Sequence, residues 1–95
     1  KAKIEARIIK ISKGNYKLKV WNSGKAIAYN VQVSIPEKYG IVIVNDKMPF
    51  EYLEAGGNFE ECAVVHMQSA RKFEIVSKWE DEKGNKLSNI QLRSC

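Results

Sequence analysis

Along most of this chain apolar residues recur at every second position, and that alternation fits one kind of folded object: short strands that each turn one face to a core. No window of a dozen residues repeats apolar groups at helical spacing between two caps, so the chain is expected to be all-β. Lys3 to Ile11 reads as the first strand, with Ile4, Ala6 and Ile8 on one face. Its apolar phase slips at Ile8-Ile9 and continues through Ile11, which points to a bulge or to a strand that crosses between sheets. Lys13-Gly14-Asn15 supplies a tight turn, since Gly and Asn tolerate positive φ. In the second strand Tyr16, Leu18 and Val20 alternate with Lys17, Lys19 and Trp21, setting a core face against a basic face that carries one large ring.

After the turn Asn22-Ser23-Gly24-Lys25, a third strand alternates Ile27, Tyr29, Val31, Val33 and Ile35 with Ala28, Asn30, Gln32 and Ser34 until Pro36 stops it. Ile41 to Val44 is apolar on both faces, a short strand of unreadable orientation. Asp46 to Gly57 reads as a loop punctuated by Pro49, Gly56 and Gly57. Phe59 to Met67 is the fifth strand, with Ala63-Val65-Met67 and Cys62-Val64-His66 as equally plausible inward sets. Phe73 to Trp79 is the sixth, Asp81 to Asn85 a hairpin turn, and Leu87 to Arg93 the seventh. Seven short antiparallel strands at intervals of roughly twelve residues are the signature of a two-sheet, immunoglobulin-like or fibronectin type III-like β-sandwich. Its expected inter-sheet core is Leu18, Val20, Val31, Val33, Phe73, Ile75 and Trp79.

Ninety-five residues make a single domain spanning 1–95, long enough to close one core without metals or disulfides. The start at Lys1 and the end at Cys95 suggest a domain excised from a longer chain. Apolar runs such as Ile41 to Val44 fall far short of the roughly 18 residues a membrane-spanning helix needs.

The net charge of +5 is unevenly spread: residues 1–25 hold eight basic groups against Glu5 alone, whereas Glu51 to Glu61 holds four acidic groups and no basic one. If Ile4, Ala6 and Ile8 face inward, Lys3 and Arg7 join Lys17, Lys19 and Trp21 on one outer face. These five are the candidate binding residues, because a basic face with a stacking ring suits an anionic partner. A solvated strand face is the simpler reading of the same lysines.

The segment Leu18-x-Val20-x-Asn22-x-Gly24-x-Ala26-x-Ala28-x-Asn30-Val31-x-Val33-x-Ile35-Pro36 resembles the strand-turn-strand core of CARDB-like and related prokaryotic immunoglobulin-like domains. Leu53-x-x-Gly56 and the stretch from Phe73-x-Ile75 to Trp79-x-Asp81-x-x-Gly84 fit the same layout, so the likeness covers most of the chain. In it Asn22 and Gly24 shape the turn, Ala26 and Ala28 allow close backbone approach, and Asn30 can bond a neighbouring main chain. The resemblance implies an accessory module of a cell-surface, membrane-anchored or enzymatic protein that spaces, adheres or recognises.

Catalytic readings are weak. His66 is the one histidine, and a triad needs its base beside a Ser or Cys nucleophile, whereas the neighbours Val65 and Met67 suggest a strand and hence a structural or half-exposed histidine. Glu60 and Glu61 are adjacent on a strand and must point to opposite faces. Cys62, Cys95 and His66 lack zinc-ligand spacing, so no metal or other cofactor is expected, and the two cysteines are read as reduced thiols. Glu80 to Asn85 lacks the spaced ligand ladder of a calcium loop and reads as a solvated hairpin. The expectation is therefore a non-catalytic interaction, adhesion or spacer module, a monomer or weak dimer that meets another protein or another domain of its own chain. The alternative is a nucleic-acid-binding or carbohydrate-binding sandwich that uses the Lys and Trp21 face.

Overall fold

The computed structural model describes residues 1–66 and 68–94 and shows an all-β sandwich of two four-stranded antiparallel sheets. In chain order the strands are β1 (Ile4–Ser12), β2 (Asn15–Asn22), β3 (Ala28–Ser34), β4 (Val42–Val44), β5 (Phe50–Leu53), β6 (Asn58–Val64), β7 (Lys72–Glu80) and β8 (Lys86–Ser94). One sheet runs β1-β2-β6-β4 and the other β5-β3-β7-β8. One turn of 3-10 helix, Glu37–Tyr39, links β3 to β4, and among the described residues no helix is long and apolar enough to cross a membrane. Among the described residues there are thus eight strands rather than seven. The extra one is β5, inside the segment read as a loop, where four residues between Pro49 and Gly56 are too few to display a period.

The core residues expected from the alternation are all buried: Leu18 and Val20 from β2, Val31 and Val33 from β3, Phe73, Ile75 and Trp79 from β7. Ile4, Ala6, Ile8, Ala28, Ile35, Ile41, Leu53, Phe59 and Ala63 complete the core, with Phe59 stacked on Phe50 at 4.4 Å between ring centroids. On β6 the inward set is Phe59, Glu61 and Ala63, while Cys62 and Val64 face solvent. Val65 packs partly against the core. Met67 and Cys95 lie outside the described residues, so the inward position considered for Met67 and the state of the Cys62–Cys95 pair lie there too.

Two strands depart from the simple alternation. On β3 the pairing with β7 shifts between Tyr29 and Gln32, and Asn30 sits there at φ 51°. Asn is the side chain that best tolerates this left-handed backbone, and the residue it adds rotates the upstream half of the strand by one face. Ala28 is consequently inside, Tyr29 lies half-buried edge-on to Tyr52, and the Asn30 amide donates to the Glu80 carboxylate at 3.3 Å rather than to main chain. On β1 the phase does not slip at Ile8-Ile9. Ile9 pairs with Lys17 and lies on the outer face, and the irregularity falls later, between Lys10 and Ser12.

Asn22 ties the layers together. Fully buried, its Oδ1 accepts from the Lys3 and Gly24 amides at 3.2 and 3.0 Å, and its Nδ2 donates to the Ala26 and Leu53 carbonyls at 2.7 and 3.0 Å. Its main chain bonds Gly56 and Gly57, so one side chain fastens the β2–β3 turn, the entry to β1 and the end of β5. Gly24 is required beside it, because a Cβ there would run into the backbone of residues 1–3.

Candidate functional site

Directly paired residues of an antiparallel ladder share a face, so the pairings give the outer surface of the β1-β2-β6-β4 sheet row by row. Glu5, Trp21 and Asn58 form one row, Arg7, Lys19 and Glu60 the next, and Ile9, Lys17, Cys62 and Val44 the third. Arg7, Lys17, Lys19 and Trp21 are therefore brought together as the alternation implied. Lys3 precedes β1, exposed, with its backbone bonded to Asn22 and Ser23.

The face is not the uniformly basic surface that the first 25 residues imply. Pairing with β6 inserts Glu60, whose carboxylate lies 3.6 Å from the Lys17 ammonium and directly across from Lys19. Glu5 stands across from Trp21 and also reaches Arg93 at 3.9 Å. A hydrogen bond from Ser23, opposed by partial burial and aided by Gln91, Lys3 and Arg93, holds the Glu5 carboxyl below its ordinary range. Trp21 is half-buried, and its neighbours in the sheet are one acidic and one amide side chain rather than cations. The acidic middle of the chain was visible in the sequence, but its placement against the basic start required the β2–β6 pairing.

Beyond Lys17 the same face turns apolar. Ile11, Val42, Val44 and Val64 are 55%, 57%, 50% and 50% exposed, and Cys62 is exposed among them. Val42 pairs with Val64 and Val44 with Cys62. Ile11, Lys17, Cys62 and Val64 share the lining of a shallow cleft of about 360 Å³. This patch was missed in the sequence, where Ile9 and Ile11 looked like a displaced core face and Ile41 to Val44 gave no orientation.

The acid–base candidates separate. Glu60 points outward to Lys17, whereas Glu61 is buried and accepts hydrogen bonds from the Asp46 and Lys47 amides at 3.1 and 2.8 Å, a structural cap for that turn. His66 is exposed, and its amide donates to the Ser69 hydroxyl at 3.1 Å. Asp81 spends both oxygens on its own hairpin, accepting from the Lys83 amide and from the Asn85 amide and side chain. Those bonds, the Asn85 side chain first, lower its pKa. Among the described residues no group of three His, Cys, Asp or Glu is placed to hold a metal ion. In comparisons with known proteins, no family model matches this chain and no curated protein matches it.

Proposed function

We propose that this domain is a non-catalytic interaction module of the immunoglobulin-like or fibronectin type III-like kind, and that the outer face of the β1-β2-β6-β4 sheet is its docking surface. The observation that carries the reading is the cluster of Ile11, Val42, Val44 and Val64, half or more exposed on one face around Cys62. Contiguous apolar surface of this sort is normally kept from water, and an interface centre is where a protein uses it. The charged half of the face, with Trp21, Arg7, Lys17, Lys19, Glu5 and Glu60, supplies the polar margin and a mixed-charge pattern suited to a protein partner. A nucleic-acid reading of the same face is weakened by Glu5 and Glu60, which stand among the cations where phosphates would lie. The layout β1-β2-β6 against β5-β3-β7-β8 supports the immunoglobulin-like class, with β4 as an added edge strand on β6. An accessory role in a CARDB-like, prokaryotic parent protein rests on the sequence resemblance.

The test is photo-cross-linking in cells that make the protein, with the reactive group placed at Val42 or Val64 and, as controls, at Lys78 or Ser88 on the other sheet. A discrete adduct from the first pair alone is expected. Equal yields from both faces, or none from either, would remove the face from consideration.

A further inference from the structure

Among the described residues the two sheets end in four edge strands, β1, β4, β5 and β8. Three of them are poorly suited to taking a further strand. β4 has three residues and β5 four, the latter directly behind Pro49. On β1 the outward main-chain groups are taken by side chains of β8. Gln91 accepts from the Ala6 amide at 3.0 Å, Asn89 donates to the Ile4 carbonyl at 3.2 Å and the Arg93 Nε donates to the Ala6 carbonyl at 2.9 Å. Farther along, the irregularity between Lys10 and Ser12 interrupts β1. The edge of β8 is different. It is nine residues long, holds no Pro or Gly, and pairs with β7 from Lys86 to Ser94 without a register shift. Its face away from the core carries Ile90 and Leu92, which are 61% and 77% exposed. An edge this long and regular is normally blunted by charge, Pro or a bulge. Here Lys86 stands at one end, and Arg93 is turned inward onto Ala6 and Glu5.

We propose that the free edge of β8 takes β8 of a second copy of this chain, antiparallel about a two-fold axis, so that two β5-β3-β7-β8 sheets become one of eight strands. This edge belongs to the other sheet from the proposed docking face and stands independently of it. The strand is complementary to itself. Pairing centred on Gln91 sets Ile90 across from Leu92 of the other copy, twice, and Ser88 across from Ser94. Val76 of each β7 lies beside Ile90, so six apolar side chains form one continuous outer patch. Arg93 falls across from Asn89, and Lys86 lies beyond the paired residues, so no two cations oppose each other. A foreign strand would find the same main-chain groups, but β8 itself supplies the matching apolar pair at the matching spacing. The two-fold arrangement uses up both β8 edges, so assembly stops at two copies rather than growing into a fibre. One strand pair buries well under the roughly 800 Å² per partner of a standard interface, which makes the pair weak, with a dissociation constant of about 100 µM. It is dissociated at low micromolar concentration.

Sedimentation equilibrium of a Cys62→Ser, Cys95→Ser domain between about 10 µM and 1 mM tests the pairing. A concentration-dependent dimer with no larger species is expected. Ile90→Lys with Leu92→Lys should weaken it at least about tenfold, since lysines on an edge oppose strand addition. Val42→Lys with Val64→Lys, on the other sheet, should change it by less than about twofold. All four side chains reach solvent, so melting temperatures should match the parent. In the same cysteine-free background, mixed Ser88→Cys and Ser94→Cys proteins should give on oxidation more of the mixed disulfide than of either homodimer, because directly paired α-carbons lie about 4.5–5.5 Å apart. A monomer at every concentration, a dimer that survives the Ile90 and Leu92 changes, one lost with Val42 and Val64, or an excess of homodimeric disulfides would each overturn the proposal.

Discussion

Replacing Asn22 by Ala is expected to cost more than any exposed substitution in the molecule, because the side chain makes four hydrogen bonds from a site with no solvent access. The Leu53 carbonyl lies in a buried bond and would lose its partner where water cannot follow, at about 1–3 kcal/mol. The Lys3, Gly24 and Ala26 groups are only partly buried, so water can rescue them and each loss is about 0.5 kcal/mol. The sum is about 2.5–4.5 kcal/mol, a large part of the roughly 5–15 kcal/mol available to a domain of this class. Urea unfolding followed by tryptophan fluorescence reads it as a lower midpoint at unchanged slope. Asn22→Asp separates the two halves of the network, since it keeps the acceptor for Lys3 and Gly24 but loses the donors to Ala26 and Leu53. It should be at least as damaging as Ala, because it also buries a charge. A loss below about 1 kcal/mol for Asn22→Ala would refute the argument that this side chain fastens the three segments.

Ile75, fully buried between the sheets, should lose about 3 kcal/mol on substitution by Ala in the same urea assay, and an unchanged midpoint would mean that β7 faces the other way. The Ser77 hydroxyl is buried with no hydrogen-bond partner among the described residues, so Ser77→Ala should leave stability unchanged or raise it by up to about 1 kcal/mol; a clear loss would show that the hydroxyl is bonded. Asp81 has a folded pKa below its ordinary 3.8, so its contribution is complete above that pH and fades as pH falls through the lowered value. Melting temperatures of wild type and Asp81→Asn should therefore differ by a constant amount at neutral pH and converge in strong acid, and a difference that persists there would exclude the carboxylate as its source.

How much of this was legible in the sequence depended on how local each determinant is. β2 and β7 alternate over their whole length and were readable residue by residue, as were the hairpins at Gly14 and Asp81 to Asn85. β3 misled because the side chains Ile27, Tyr29, Val31, Val33 and Ile35 keep strict period two while the backbone inserts a bulge at Asn30, and only the pairing with β7 exposes the extra residue. β5 was hidden by its brevity. The candidate face was half legible: β1 and β2 are adjacent in sequence and place Arg7, Lys17, Lys19 and Trp21 together, but Glu60 arrives from a strand some 40 residues later and changes the electrostatics.

The proposed docking face contains its own reporter in Cys62, exposed among Val42, Val44 and Val64. The most direct measurement is the rate at which a maleimide modifies Cys62 in a Cys95→Ser variant, followed by mass spectrometry of the peptide, in the purified domain and in cells that make the protein. The purified domain should react as an accessible thiol, and occupancy of the face in cells should slow modification by about tenfold or more, the factor that corresponds to 90% coverage. A fast reaction at the same rate in both settings would mean that nothing covers this face where the protein works, and would contradict its role as a docking surface.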